Sequence, residues 1–504
     1  MMLRNYRIFE AFSYRFSKSF FSHKAKIWVL LLAVAVHLQT SGAVAEEFIQ
    51  LPGVIHVHSS FSSGDHTFKE LVDMAQEKSL EVLIPTDHDM VAMEYGIFPL
   101  RNILKKRVEM KSVLQAGAQK YLEEIEAINK EQNRVLIVPG VQTSPFYYWT
   151  GSPFQGDLTA HDYQKELLLI GMTNPADYLN LPLLHRGFSK TYVKNYLTRF
   201  LILLFALLSG LYLAFQKGTY RYFGFAICAA SLILLVNHHP FQSSRFDPNY
   251  GNQGIQPYQD LIDYVGARKG LVFWSHPEAL AAAGGVKMGL VTLQTEPYPD
   301  ALVQSKNYTG FAGLYGELTK VNEPGRQWDQ VLLEYCEEKR PQPVWAIAEA
   351  DFHKPKNEGG AVDIDSYQTV FLVRSKGTQA VLDALSSGKI YAVRKGTNAR
   401  LILNRFQVGS KGYKVLANMG EKLNSVSQPE IHIGVSASDH GEHPVKLTLV
   451  RRGKVFKEIE AKTPVEITIQ DEEGWEGISY YRLEVDGKTE GEILSNPIFV
   501  SREQ

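Results

Sequence analysis

Cysteine is scarce in this chain of 504 residues, which has only Cys228 and Cys336. Two cysteines cannot form a disulfide framework or a zinc site built from cysteine ligands. A metal bound by this chain would therefore be held by histidine and carboxylate side chains, which suit zinc, manganese or iron.

An excess of charge of either sign is also missing. Lys and Arg number 53 against 54 Asp and Glu, a net charge of −1, so no overall field favours nucleic acid and none is expected as a partner. We find no internal repeat and no low-complexity linker. The composition, 45% hydrophobic and 21% charged, is that of a globular protein, and the length predicts two to four domains or one large barrel with attachments.

The N-terminus has the layout of a secretory signal. Basic residues precede an apolar run at residues 27–36, and small residues follow at Ala43, Val44 and Ala45. This pattern predicts a signal peptide over residues 1–45, with an uncleaved signal anchor as the alternative. Either would place the globular part on the extracytoplasmic side of a membrane.

Two further apolar runs lie in the middle of the chain, at residues 200–215 and 222–236. Neither contains a charged residue, whereas a soluble core helix normally keeps a polar face. We therefore predict a transmembrane helical hairpin over residues 197–237, with a buried hairpin in the globular core as the alternative. The connector, with Lys217 and Arg221, would be cytoplasmic under the positive-inside rule.

Short apolar strands alternate with helical stretches over residues 51–398, which predicts a parallel-strand α/β architecture. From residue 399 to 504 short alternating strands follow one another, separated by turn signals such as Arg452-Gly453 and Asp486-Gly487. This texture predicts a C-terminal β-sandwich.

Possible metal ligands follow four of the predicted strands: His56-Val57-His58, Asp87-His88, His276, and Asp351-Phe352-His353. In an α/β barrel the C-terminal ends of the strands converge on one face, so these side chains would meet. Imidazoles together with carboxylates favour a site for more than one cation, because the carboxylates offset the clustered positive charge.

The order of these motifs resembles the PHP superfamily (polymerase and histidinol phosphatase) over residues 54–393. The stretches His56-Val57-His58-Ser59 and Thr86-Asp87-His88-Asp89 carry most of the resemblance. It implies a distorted (βα)7, TIM-like barrel, here interrupted by the hairpin, and a metal-dependent phosphoesterase or related hydrolase. Residues that match the family's ligand positions are His56, His58, His88, His276, Asp351 and His353. Asp87 matches a residue that often orients an imidazole in the family.

Three positions depart from the family pattern. Gln142 stands where the family usually has a metal-bridging Glu, and a neutral amide bridges two cations poorly. Ser63 stands where an Asp is usual, with Asp65 nearby. The histidine that normally precedes the next strand is missing, with Lys165 and Glu166 there and His161 close by.

These observations predict a membrane-tethered, externally facing hydrolase that activates water with one to three divalent ions (Zn, Mn or Fe). Its expected substrate is a small-molecule or lipid-linked phosphoester. We predict Asp87, His88 and His276 as catalytic residues, and as metal ligands His56, His58, His88, Gln142, His276, Asp351 and His353. Two alternatives stay open: a degenerate PHP domain that acts as a binding or sensor module, and hydrolysis of a carbonyl ester or amide.

Overall fold

The computed structural model describes residues 48–412, 415–424, 426, 428–475 and 477–502. The predicted signal segment, residues 1–45, lies outside this part of the chain. The α-helices are α1 (Phe68–Glu77), α2 (Val113–Ala116), α3 (Ala118–Glu131), α4 (Pro175–Leu179), α5 (Val193–Ala214), α6 (Thr219–Asn237), α7 (Gln256–Gly266), α8 (Ala301–Gln304), α9 (Gln327–Cys336) and α10 (Thr378–Ser387).

The strands in the first part of the chain are β1 (Ile49–Val57), β2 (Val82–His88), β3 (Val91–Gly96), β4 (Lys105–Met110), β5 (Leu136–Ile137), β6 (Gly140–Thr143), β7 (Tyr148–Thr150), β8 (Thr159–His161), β9 (Leu167–Ile170), β10 (Leu271–Trp274), β11 (Val286–Met288), β12 (Val291–Gln294), β13 (Gly310–Leu314), β14 (Trp345–Ala348), β15 (Tyr367–Val373) and β16 (Ile390–Lys395). Those that follow are β17 (Leu401–Ser410), β18 (Leu416–Asn418), β19 (Lys422–Leu423), β20 (Pro429–Ala437), β21 (Pro444–Arg451), β22 (Lys454–Lys462), β23 (Val465–Gln470), β24 (Ile478–Asp486), β25 (Gly491–Ser495) and β26 (Ile498–Ser501).

The chain has a mixed α/β fold around one large sheet. The order of its main strands is β14-β13-β10-β9-β6-β2-β1-β15-β16-β25-β24-β21-β22. The segment after β14 returns to β1: Val57 and Phe352 form a parallel bridge, and the Phe352 amide donates to the His56 carbonyl at 3.0 Å. The ends of β1 and β14 therefore lie side by side.

The strands around the site are not all parallel, which corrects the expectation of a parallel-strand architecture. β2 is parallel to β1 and β6, and β13 is parallel to β10 and β14, but β9 is antiparallel to both β6 and β10. Parallel neighbours need a long crossover, usually a helix. The connection from β6 to β9 instead contains the short strands β7 and β8, so β9 enters the sheet in the opposite direction.

Helix α1 shows how local sequence positions the first motif. Thr67 caps the helix with Glu70 in a reciprocal capping box, which satisfies two otherwise unpaired amides. Phe68, Leu71 and Ala75 are fully buried and pack into the main core. This helix follows the loop that carries His58 and covers one face of the sheet.

Helices α5 and α6 are 22 and 19 residues long and apolar enough to cross a membrane. Only 6% and 17% of their most apolar windows are buried, so the alternative of a hairpin inside the globular core is wrong for these described residues. The two helices pack closely at Gly224, where a Cβ atom would lie 2.2 Å from the Ala214 amide nitrogen. Their outward surfaces expose leucine, isoleucine and phenylalanine side chains.

The C-terminal strands form a sheet of their own, β18-β17-β20-β23, and also extend the large sheet. β16 pairs with β25 in antiparallel register, so one sheet runs across the boundary expected near residue 399. Arg482 on β24 is fully buried and donates to both carboxylate oxygens of Asp329 on α9, at 2.9 and 2.8 Å. The expected division at residue 399 stays a prediction.

Candidate metal centre

The residues singled out at the strand ends lie together. His56 is the penultimate residue of β1 and His58 follows this strand, while His88 ends β2. The rings of His58 and His353 stack with their centroids 4.2 Å apart, and the His58 and His88 centroids are 4.7 Å apart. Since these residues come from distant parts of the chain, the return of the segment after β14 to β1 creates the cluster.

Asp351 Oδ1 is the centre of the cluster. It lies 3.2 Å from His56 Nε2, 3.4 Å from His58 Nε2 and 3.3 Å from His353 Nε2. The Nε2 atoms of His56 and His58 are buried and have no hydrogen-bond partner in the described part of the chain. Buried nitrogens of this kind need a partner that protein atoms do not supply.

These distances fit a shared cation. Ligands about 2.0–2.2 Å from a tetrahedral ion lie roughly 3.3–3.6 Å from one another. The ligand atoms of His56, His58 and Asp351 all lie within 4.8 Å of one another. The donor set of imidazoles and a carboxylate is one that divalent transition metals accept.

Glu349 holds the far side of His56. Its Oε2 atom lies 3.1 Å from His56 Nδ1 and accepts from Ser275 Oγ at 2.9 Å, while its Oε1 atom accepts from the His276 amide at 2.7 Å. A carboxylate that accepts from Nδ1 leaves the Nε2 lone pair free for a metal. His56, His276 and Glu349 also satisfy the distances of a second metal group, but the protein donors around Glu349 favour an orienting role.

A second contact of ligand-like length joins His276 and Glu166. His276 Nε2 lies 3.4 Å from Glu166 Oε2, which also accepts a hydrogen bond of 2.6 Å from Gln142 Nε2. An ionised carboxylate only accepts, so the amide nitrogen of Gln142 must face it. The Oε1 atom of Gln142 is left buried without a hydrogen-bond partner among the described residues.

Asp87 is fully buried and contacts the loop after β1. It accepts from the Ser59 amide at 2.8 Å, from Ser59 Oγ at 2.7 Å and from Ser62 Oγ at 2.6 Å. Ser62 Oγ in turn lies 3.3 Å from His58 Nδ1. Asp87 therefore reaches the imidazole cluster through Ser62.

Three residues of the cluster have a left-handed backbone. The φ angles are 69° at His56, 22° at His276 and 47° at Asp351. Such conformations cost non-glycine residues about 1–3 kcal/mol each and concentrate at functional sites. The fold holds these three side chains in place at the expense of stability.

The electrostatics of the centre favour protonation of His276 and His56 but a neutral ring at His58. Burial lowers the pKa of His276, but the contact with Glu166 and the charge of Glu349 outweigh it and raise the pKa to about 10. Burial also opposes protonation of His56, yet Asp351 and Glu349 raise its pKa. Burial, together with neighbouring imidazoles, lowers the pKa of His58, which keeps this ring neutral and its lone pair available.

The cluster lines a cavity of about 400 Å³. Among the predicted site residues, its walls include His58, His88, Gln142, His276, Asp351 and His353. Neither His56, which is fully buried beside the cavity, nor Asp87 lines it.

The positions where the sequence departs from the family pattern fall in different places. Ser63 Oγ lies 3.1 Å from His353 Nδ1, at the site, whereas Asp65 pairs with Lys354 at 3.5 Å. His161 contacts Thr150 and stacks on Tyr148 away from the cluster.

Two carboxylates at the site were not predicted as functional. Glu349 follows β14 directly and is fully buried, and Glu166 directly precedes β9. In the sequence, each of these glutamates adjoins an entirely apolar strand. This position indicates a functional role, because a buried charge needs a partner.

No family model matches the chain, and no curated protein matches it. Similar solved structures include a two-domain protein from Bacteroides vulgatus, described as containing a predicted PHP-like metal-dependent phosphoesterase. It is 11% identical, with a TM-score of 0.35, and the match covers 88% of this chain and 91% of that one. A second similar structure is that of a protein from Bifidobacterium adolescentis, whose description as a metal-dependent phosphoesterase is itself inferred. It is 13% identical, with a TM-score of 0.25, and the match covers 60% of this chain and 87% of that one. Both descriptions agree with the resemblance that the motifs predicted. Since both TM-scores are below 0.5, the function proposed next rests on the site itself.

Proposed function

We propose that this protein is a metal-dependent phosphoesterase, tethered to a membrane by α5 and α6, with a distorted seven-stranded barrel and its globular part outside the cytoplasm. One observation carries the proposal. Three imidazole Nε2 atoms surround Asp351 Oδ1 at 3.2–3.4 Å, and two of them are buried without a hydrogen-bond partner among the described residues.

We assign one cation position to Asp351 and the three histidines around it, His56, His58 and His353. A second position is assigned to His276 and Glu166, with His88 beside it. Glu166 supplies the carboxylate charge that Gln142 lacks, and Gln142 holds Glu166 through its 2.6 Å hydrogen bond. Compared with the family pattern, the negative charge is therefore carried by Glu166, directly before β9, and not by residue 142 on β6.

When bound, a divalent ion here supplies a Lewis acid for the phosphoryl oxygens and lowers the pKa of water that it coordinates. The chain's own residues orient the ligands. Glu349 holds the proton on His56 Nδ1, and Asp87 holds the loop of Ser59 and Ser62 against His58. We therefore assign Asp87 a positioning role, while His88 and His276 face the cavity where a substrate would bind.

The first test is metal content and turnover of the purified full-length protein in detergent. His56→Ala and His58→Ala should each lose at least one equivalent of metal and lower phosphodiester turnover by about 100-fold or more, since even outer-shell substitutions cost 10- to 100-fold. His161→Ala, a histidine outside the cluster, is the matched control. Retention of both metal and turnover in the two variants would overturn the proposal.

Substrate chemistry separates the remaining alternatives. Bis-p-nitrophenyl phosphate, p-nitrophenyl phosphate and p-nitrophenyl acetate report phosphodiester, phosphomonoester and carboxyl-ester hydrolysis. Turnover of the acetate alone would favour the ester hydrolase, and bound metal without turnover of any substrate would favour a binding or sensor module.

The membrane part of the proposal is supported by the exposed apolar surfaces of α5 and α6. Because the hairpin lies within the sequence of the catalytic part, it would bring the cavity close to a lipid-linked substrate. Reporter fusions at the connector near Gly218 and at the C-terminus test the orientation. A C-terminal alkaline phosphatase should be active and one at the connector inactive; the reverse pattern would contradict the extracytoplasmic placement.

A further inference from the structure

A second cavity, of about 430 Å³, lies at the foot of the membrane hairpin. Its walls come from the first turns of α5 (Tyr196 and Arg199), from the end of α6 (Asn237 and His238), and from the loop after β3. No residue lines both this cavity and the one at the metal centre. It is therefore a separate compartment of the molecule.

The loop after β3 is fixed to the hairpin. Asn102 donates from its amide to Asn237 Oδ1 at 2.9 Å and from Nδ2 to the Asn237 carbonyl at 2.6 Å. Asn237 Nδ2 donates to the Pro99 carbonyl at 3.2 Å. These three bonds hold Arg101 against the base of α6, so the cavity is built by tertiary contacts.

Three buried nitrogens on residues of this cavity have no hydrogen-bond partner among the described residues: Arg101 Nε, His185 Nε2 and His239 Nδ1. Buried polar atoms in folded proteins are nearly always paired, so a cluster of three around one cavity indicates a polar ligand. Arg101 Nε can only donate, and His239 Nδ1 carries a proton when Nε2 accepts from Gln242 Nε2 at 3.4 Å, so this ligand must offer acceptor atoms.

The charges around the cavity favour an anion. Arg101 and Arg199 have no carboxylate within 4 Å in the described part of the chain, whereas Arg245 is paired with Asp260. Of the two acidic residues lining the cavity, Glu94 is paired with Lys105 at 2.9 Å, and Asp247 accepts hydrogen bonds from Asn249. Two guanidinium groups therefore exceed the one remaining carboxylate of the cavity, that of Asp247, which has no cation within 4 Å among the described residues.

We propose that this cavity binds a phosphate-bearing anionic headgroup. Guanidinium forks match the geometry of phosphate oxygens, and basic side chains at the ends of membrane helices meet lipid phosphates at that depth. Exposed apolar side chains of α5 lie on both sides of Arg199 in the sequence, with Leu197 before it and Leu201 and Ile202 after it, so acyl chains of a bound lipid would continue along the hairpin. The volume is within the roughly 300–1,000 Å³ of small-molecule sites. This site goes beyond the proposed hydrolysis and does not depend on it.

The test measures binding of three probes to the full-length protein in detergent, after removal of co-purified lipid. The probes are short-chain phosphatidylglycerol, short-chain phosphatidylcholine and inorganic phosphate. We expect phosphatidylglycerol to bind more tightly than phosphatidylcholine, and its Kd to rise about tenfold or more in Arg101→Gln/Arg199→Gln, which removes charge-assisted contacts. The matched control, Lys217→Gln/Arg221→Gln, removes two exposed charges from the other end of the hairpin and should bind normally.

Every outcome decides the question. If inorganic phosphate displaces the lipid, and its binding also depends on the two arginines, the result supports the anion site with a soluble anion as its ligand. Equal binding of the two lipids, unchanged binding in the arginine variant, or equal loss in the control would overturn the proposal. If the double variant does not fold, His239→Gln replaces it, with the same expected direction and the same contrary result.

Discussion

Asp351 is the residue on which the metal centre depends most. A single oxygen faces three imidazole nitrogens, and the neighbouring His56 lowers the pKa of this half-exposed carboxyl well below its usual range, against the effect of partial desolvation. Asp351→Asn keeps the shape but removes the charge. We expect it to lose at least one equivalent of metal and to weaken metal affinity by about 100-fold or more.

Asp65→Asn is the matched control, because Asp65 is a nearby carboxylate that pairs only with Lys354 in the described contacts. Metal content after dialysis, measured by inductively coupled plasma mass spectrometry, separates the two. Equal metal content in Asp351→Asn and the wild type would remove Asp351 from the ligand set.

Gln142 tests whether Glu166 carries the displaced charge. Gln142→Glu would place a second carboxylate 2.6 Å from Glu166 Oε2. Without metal, we expect the lost hydrogen bond and the repulsion to destabilise the protein by about 1–3 kcal/mol. With metal, the cation offsets the repulsion, so the difference in Tm between metal-loaded and metal-free protein should be larger than in the wild type.

Gln142→Met is the control, since it removes the hydrogen bond without adding charge. A metal-dependent shift in Tm that is the same for Gln142→Glu, Gln142→Met and the wild type would mean that no cation lies near Glu166.

The histidines of the centre could be predicted because motif and strand end coincide in the local sequence. His56, His58 and His353 show this directly. Glu349 and Glu166 could not be assigned in the same way, because their roles depend on contacts with residues far away in the chain: Glu349 lies 293 positions from His56. Short-range patterns contain no information on such pairs.

At the level of elements, the hairpin depends on close packing between α5 and α6. A Cβ atom at Gly224 would lie 2.2 Å from the backbone of Ala214, so Gly224→Leu must separate the helices. We expect a destabilisation of about 1–3 kcal/mol, typical of overpacking. Ala229→Leu, on the exposed surface of the same helix, is the control and should leave the Tm in detergent unchanged. An equal Tm for both variants would contradict the packing.

The ribbon of β3 and β4 provides a pH-dependent contribution to stability. Burial alone would raise the pKa of Glu94, but contacts with His185 and Lys105 outweigh it and lower the pKa to about 2. A depressed pKa stabilises the folded state above the unfolded value of about 4.3, and this contribution is lost as the pH falls towards 2.

We expect Glu94→Gln to reduce the acid-induced loss of unfolding free energy between pH 5 and pH 2 by up to about 3 kcal/mol. Glu109→Gln, on the same ribbon and paired with Arg107 at a partly exposed position, should follow the wild type. Identical pH profiles for Glu94→Gln and the wild type, measured by denaturant titration, would contradict the assignment.

The types of the long elements follow from periodicity, but pairing direction does not. The run Leu167–Ile170 predicts a buried strand, and β9 is one. Its antiparallel direction depends on how the chain returns from β6 through β7 and β8, which no local pattern specifies. The hairpin helices, in contrast, were predictable because two neighbouring apolar runs without a charged residue are unusual in soluble domains, whose helices normally keep a polar face.

Across the whole molecule, contacts between distant segments decide whether the C-terminal strands fold separately. Asn496 donates to the carbonyls of Ala346 and Ile390 at 2.9 and 3.0 Å, and thus joins the last strands to β14. Arg482 and Asp329 add a fully buried ion pair between β24 and α9. The change in sequence pattern near residue 399 cannot indicate these contacts, because they join segments that lie far apart in the chain.

Arg482→Met tests this coupling. It leaves Asp329 buried without its cation, and breaking a buried pair in this way costs about 3–5 kcal/mol. Because α9 packs in the same core as the strands of the metal centre, we expect the temperature of metal release to fall together with the melting temperature of the C-terminal strands.

The control is Arg451→Met, which breaks a comparable pair with buried Asp471 within the C-terminal strands alone. It should lower C-terminal melting more than metal release. If Arg482→Met lowers only the C-terminal transition in calorimetry and metal release is unchanged, the two parts unfold independently, and the ion pair does not couple them.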